Sequence, residues 1–391
     1  MQDVVVCGFA RTPFGKYKGK MKGFSAIELG TIAVKELIKK SGFEAESGIV
    51  DQVYFGQVLQ GGSGQAPARQ VALNAGLPNH TPCTTINKVC GSSLKAVMIG
   101  ATEIKAGLAE VIIAGGMESM SNVPKYIREV EKGLELTYDQ LDSLMINDGL
   151  KDAFSGEMMG NTGETIALEM GISRSVADGY ALRSHTLARQ AWENGWLEGE
   201  VIKLEELQSD EGIRYDCSID SLSKLSPVFD DEGIVTAGNS SQLSDGAAAV
   251  MICSKAAAMK YDFPVYCSIV DYVTSGVEPN RVMSAPIPAI EELLTRNNLE
   301  INQIDIVEHN EAFATASCGV QKYFDLDDEK FNVNGGAVAI GHPLGATGAR
   351  CLMNLIGAMI RLRKNTGIVT VCLGGGNAVA MLIRANNISQ E

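Results

Sequence analysis

The sequence predicts an α/β fold with a duplicated core. Apolar strand-like runs alternate with amphipathic helical stretches, 42 glycines are spread over 391 residues, and one order of elements occurs twice. A chain of this length exceeds what one hydrophobic core usually fills, so at least two packed units are expected.

The alternation starts at the N-terminus. "DVVVCGF", "DQVYFGQV" and "EVIIAGG" in the first part, and "PVYCSIVDYV", "IDIVEHN", "GIVTVCLGGG" and "AVAMLIR" in the last, are β-rich runs bounded by turn residues. Their near-continuous apolar character predicts strands buried on both faces. Residues 33 to 58 and 289 to 313 each read as an amphipathic helix, a polar turn, an apolar strand and a polar exit. The repeat then extends. The turn at Cys90 leads into "LKAVMIGATEIKAG", a strand and a glycine pair, whereas "GGAVAIGHPLGATGAR" leads into "CLMNLIGAMIRLRKN", a strand and three glycines. Duplication predicts a pseudo-twofold that brings the turn at Cys90 near residues 341–376. The expected organisation is a first half over 1–119, a looser insertion over 120–245 that caps the core and returns to it, and a second half over 246–391.

Composition excludes several roles. With 45% hydrophobic and 20% charged residues the chain is globular, and no apolar run approaches the roughly 20 residues of a membrane span. A net charge of -14 argues against nucleic-acid binding as the main role. Neither end carries a familiar address signal, so a cytoplasmic protein is expected. Nine cysteines without a CxxC pair read as reduced thiols, and Walker, HExxH and strand-linked GxGxxG patterns are absent.

The candidate chemistry rests on three residues. Cys90 precedes a helical pattern, where free backbone N–H groups and the macrodipole would stabilise a thiolate. His342, one of four histidines, lies in a glycine-rich turn beside Pro343. Cys372 ends an apolar strand before Gly374, Gly375 and Gly376. Taken singly, each is more commonly a buried cysteine or a loop histidine than a catalytic group.

Together they carry a resemblance. "NKVCGSS", "HNEAFA", "GGAVAIGHPLGATGAR" and "CLGGG" resemble the four sequence blocks of the thiolase family, with "GGMES" and "TAGNSSQLSDGAAA" as further matches. The likeness runs from "ARTPFG" to the final strand and implies a duplicated αβαβα layered fold with an inserted loop domain. It implies an acyl-CoA acyltransferase that makes or cleaves acetoacetyl-CoA through an acetyl group on Cys90, or else cleaves longer 3-ketoacyl-CoA. His342 would take the Cys90 proton and Cys372 would move the α-carbon proton. Asn310 with a water and His342 would form one oxyanion hole, and the amides of Cys90 and Gly374 the other. The resemblance further assigns coenzyme A contacts to Leu150, Met159, Arg214, Ser221, Phe229, Ser241, Met283 and Phe313. It implies no metal or cofactor, coenzyme A thioesters as substrates, and a homodimer or homotetramer in which 120 to 150 resembles the tetramer-forming loop.

Departures from the family pattern are Glu157 and Met158 in "GEMMG", Gln242, the glycine-poor "MSA" at 283–285, and His309 before Asn310. Two competing readings are a decarboxylating ketoacyl synthase, against which Cys372 stands, and a non-catalytic acyl-CoA or lipid binder, against which the intact nucleophile and base stand.

Overall fold

The computed structural model describes residues 2–127 and 137–386. Part of the expected tetramer loop, 128–136, and the C-terminal "NISQE" read for an address signal lie outside the described residues. The first half runs β1 (Val4–Arg11), α1 (Ala26–Ser41), β2 (Gln52–Gly56), α2 (Pro67–Asn74), β3 (Cys83–Ile86), α3 (Ser92–Ala106) and β4 (Val111–Ser119). After an insertion containing α4 (Met159–Met170) and α5 (Arg174–Glu193), the chain returns as β5 (Ser244–Ser254). The second half is β6 (Cys267–Gly276), α6 (Pro286–Arg296), β7 (Ile306–His309), α7 (Ala314–Tyr323), α8 (Thr347–Leu362), β8 (Thr366–Leu373) and β9 (Asn377–Ala385).

Along the sheet the order is β7-β8-β9-β6-β1-β5-β4-β2-β3. Each half repeats the same pairing logic: β2 and β4 are parallel, as are β7 and β8, and the returning strand of each half is antiparallel to its neighbours. The halves join where Val5 pairs with Ser268 and Val6 with Cys267. The boundary drawn at 246 falls inside β5, whose residues pair with β1 and β4, so this strand completes the first half and the second begins at β6.

Side-chain alternation builds the layers. Val4 and Val6 enter a central core with Ile112 and Ala114, whereas Val5 and Cys7 enter an outer core with α1. The central core also takes Leu94, Val97 and Ala101 of α3 and Leu352, Leu355 and Met359 of α8, so these two helices lie between the halves. Gly348 permits this approach, since a Cβ there would come within 2.7 Å of Leu94. Local signals set the outer helices. Ser25 and Glu28 form a capping box at the start of α1, and Gly42 ends it in the left-handed conformation. Among the described residues no helix is long and apolar enough to cross a membrane.

The insertion packs on the second half, with Ala177, Tyr180 and Ala181 of α5 entering its outer core. Its far end is tied to β1 by fully buried Arg11, which binds Glu200 at 2.8 Å and Asp210 at 2.7 and 2.9 Å. Arg11→Met would strand two buried carboxylates, an expected cost of about 3–5 kcal/mol. A urea unfolding midpoint equal to that of the parent protein would contradict this.

Candidate active site

The turn after β3 places Cys90 one residue before the N-cap of α3. Ser92 donates to the Val89 carbonyl at 2.6 Å and accepts from the Lys88 amide at 2.8 Å, while Asn87 Oδ1 accepts from the Val89 amide at 3.1 Å. These bonds hold Val89 at a φ of 45°, a conformation a β-branched residue avoids at a cost of about 1–3 kcal/mol. Ser93 serves the core instead, accepting from the Ala349 amide at the start of α8.

His342 follows a short helical turn, Ala337–Ile340, and Gly341 at φ 109°. Its amide donates to the Gln242 carbonyl at 3.0 Å and Ser244 Oγ at 3.1 Å. Thr347 Oγ1 lies 2.6 Å from His342 Nδ1 and 3.0 Å from the Pro343 carbonyl. With the hydroxyl donating to that carbonyl, its oxygen accepts Nδ1–H and the Nε2 lone pair is left for chemistry. Among the described residues Nε2 is buried without a hydrogen-bond partner.

Cys372 ends β8, with Sγ 3.3 Å from Asn310 Oδ1 and 3.8 Å from Met283 Sδ. The Asn310 Nδ2 is buried and unpartnered, a free donor for a water or oxyanion. A chamber of about 60 Å³ is walled by Cys90, His342, Cys372 and Gly374, together with Val89, Val282 and Met283. The pseudo-twofold has therefore brought the predicted thiols and imidazole to one place, the nucleophile candidate from the first half and the rest from the second.

Charge states differ from the sequence expectation of a dipole-stabilised thiolate. Burial pushes the Cys90 thiol up to about 12, opposed by its own amide and that of Gly374, and the nearby Glu118 charge adds to the rise. Cys90 precedes the helix rather than sitting in its first turn, so desolvation wins. Cys372 is raised by burial and then by Cys90, while His342 is driven down to about 3 by burial and by the buried Arg350 cation. The resting site is thus two thiols around a neutral imidazole. Alkylation of Cys90 by iodoacetamide in the free protein should accelerate about tenfold per pH unit from 7 to 9. A plateau near pH 7 would instead reveal a preformed thiolate.

A second cavity of about 360 Å³ adjoins the chamber, sharing Leu150, Met159, Ser241, Phe313, His342 and Leu344 as common wall. Phe229 lines it and meets Phe313 edge to face at 6.1 Å. Met283 belongs to the inner chamber, touching Cys372 rather than the outer passage. Arg214 and Ser221 wall neither cavity. The Arg214 amide donates to His185 Nδ1, and Ser221 Oγ accepts from the amide of Ser218, the N-cap of the short helix Ile219–Ser223. Met158 lines the outer cavity and Glu157 does not. Gln242 stitches the site, its Nε2 donating to the Gly212 and Val338 carbonyls. His309 is fully buried and bonded to Ser317 Oγ at 2.9 Å.

Sequence reading missed Thr347, Leu344 and Glu118, although all lie in quoted blocks. Glu118 is fully buried and accepts from the amides of Val58, Leu59 and Gly345, fastening the histidine turn to β4, with burial raising its carboxyl to about 7. No cluster of three or more His, Cys, Asp or Glu suited to a metal occurs among the described residues.

A cysteine at a helix entrance, a neutral imidazole and a second thiol around a small apolar chamber define the class: an acyl-transfer enzyme working through sulfur. Residues 4–256 match the thiolase N-terminal domain and 263–385 the thiolase C-terminal domain. The chain belongs to the thiolase family. It is 42% identical to the probable acetyl-CoA acetyltransferase of Escherichia coli K12 and 42% identical to the acetyl-CoA acetyltransferase of Pseudomonas aeruginosa, each comparison spanning 98% of this chain and 99% of the relative. The Acat5 thiolase from Ascaris suum, solved in complex with coenzyme A, superposes with a TM-score of 0.93 at 34% identity, covering 98% of this chain and all of that one.

Proposed function

We propose that the protein is an acetyl-CoA C-acetyltransferase, joining two acetyl-CoA into acetoacetyl-CoA and CoA and running the reverse thiolysis. The observation that carries this reading is the meeting of Cys90, His342 and Cys372 at one chamber whose size suits a short acyl group. His342 Nε2 takes the Cys90 proton as the sulfur attacks the thioester carbonyl, and CoA leaves with a proton, giving acetyl-Cys90. The amides of Cys90 and Gly374, both directed at the Cys90 sulfur, suit the oxyanion that forms there.

A second acetyl-CoA then binds with its methyl group toward Cys372. With the Cys90 proton gone out on CoA, Cys372 passes its thiol proton to His342 and, as thiolate, removes the α-proton; the resulting carbanion attacks the acetyl carbonyl, and Cys90 leaves as thiolate and takes a proton back from His342. Asn310 through a water, with His342, would stabilise the enolate oxygen. The thioester itself acidifies the α-carbon, so the proposed chemistry draws on no metal or redox group. The outer cavity, with Phe229, Ser241, Met159 and Phe313, would take the pantetheine, and Arg214 and Ser221, which wall neither cavity, would serve the nucleotide end. We also propose assembly as a homodimer or homotetramer.

The test is thiolysis of 3-ketoacyl-CoA substrates of increasing chain length, with kcat/KM expected to be highest for acetoacetyl-CoA. A preference for long chains would replace this reading with that of a degradative thiolase.

A further inference from the structure

Beneath Asn310 lies a buried polar network that the proposed mechanism does not use. Glu311 is fully buried, and no lysine, arginine or histidine side chain makes an ion pair with it among the described residues. Its carboxylate is held by four donors instead: Tyr180 hydroxyl at 2.9 Å and Asn332 Nδ2 at 3.0 Å on Oε1, and Ser184 Oγ at 2.6 Å and the Val338 amide at 3.3 Å on Oε2. Four acceptor sites with four donors leave no slack.

The donors come from separate parts of the chain. Tyr180 and Ser184 are on α5 of the insertion, Val338 is in the turn that leads into His342, and Asn332 also accepts from the His309 amide at 2.7 Å. Ser184 Oγ additionally accepts from the Gly336 amide, where a Cβ would collide with Glu311. Glu311 itself sits at a φ of 57°, an unfavourable left-handed conformation. That kink sends the Glu311 carboxylate toward α5 and the neighbouring Asn310 side chain to Cys372.

We propose that Glu311 is a positioning residue for Asn310 and the His342 turn, and that α5 of the insertion supplies its supports through Tyr180 and Ser184. The insertion then sets the geometry of the proton-handling groups as well as walling the coenzyme A passage. This inference rests on the acetyltransferase reading.

Glu311→Gln keeps size and shape but replaces one acceptor oxygen with a donor NH2 facing Ser184 and Val338 or Tyr180 and Asn332. Expected is a fall in kcat of about 10- to 100-fold, with the KM for acetoacetyl-CoA changed less than about threefold. In an Asn310→Ala background the same substitution should change kcat by less than about twofold, because the group it positions is gone. Tyr180→Phe, which removes one donor and keeps the ring, should lose kcat severalfold and serves if Glu311→Gln does not fold. Losses that multiply in the double variant, or a lowered melting temperature with kcat intact, would overturn the proposal. A crystal structure of whichever variant folds gives an answer independent of activity. Asn310 Oδ1 still 3.3 Å from Cys372 Sγ would overturn the positioning role even if the parent protein thiolyses acetoacetyl-CoA, while absent thiolysis by the parent protein would sink only the acetyltransferase reading.

Discussion

Cys90→Ala is expected to lower kcat/KM for acetoacetyl-CoA thiolysis by on the order of 10^4-fold or more and to abolish covalent acetylation. Both half-reactions pass through the Cys90 sulfur, and no other chamber residue replaces it. Cys372, the other thiol lining the chamber among the described residues, is also raised by burial and is hydrogen-bonded to Asn310 Oδ1. Alanine removes a single sulfur at a partly buried position beside the N-cap of α3, so folding should survive. Intact mass after mixing with acetyl-CoA decides it: the parent protein gains one acetyl group and the variant none. A variant that still acetylates, or still turns over at the parental rate, would move the nucleophile elsewhere.

The second large effect separates the two thiols. Cys372→Ser should leave acetylation of Cys90 by acetyl-CoA intact while condensation falls by about 10^2–10^4-fold, the range expected for loss of a positioned acid or base. A serine hydroxyl fits the space and can donate to Asn310 Oδ1, but it ionises far less readily than a thiol, so the α-proton has no competent acceptor. Single-turnover mass spectra should therefore show acetyl-enzyme accumulating without acetoacetyl-CoA. Loss of acetylation together with condensation would instead place Cys372 in the first step.

Much of this site could be read from residues alone. The recurrence of strand, turn, helix and strand foretold that the turn at Cys90 and residues 341–376 would meet, because repeated units under a pseudo-twofold place equivalent turns together. Glycine placement marked the turn around His342 for the same local reason the structure shows, Gly341 sitting at φ 109° just before it. What stayed hidden depended on tertiary approach. Tyr180 and Ser184 reach Glu311 across more than a hundred residues, and nothing in their helical pattern distinguishes them from packing residues. A helix terminus is visible in a sequence, while the desolvation that pushes the Cys90 thiol up is not. The boundary at 246 split β5 because an entirely buried strand, "SDGAAAVMICS", looks the same whichever half of the sheet it joins.

The seam between the two repeats has a final consequence. In the proposed mechanism the acyl carrier comes from one repeat, while the base, the second thiol and the Gly374 amide come from the other, and Gly116 lets the Gly345 carbonyl close the gap between them. Either repeat by itself would hold a sulfur without its proton handlers, or proton handlers without the sulfur that carries the cargo.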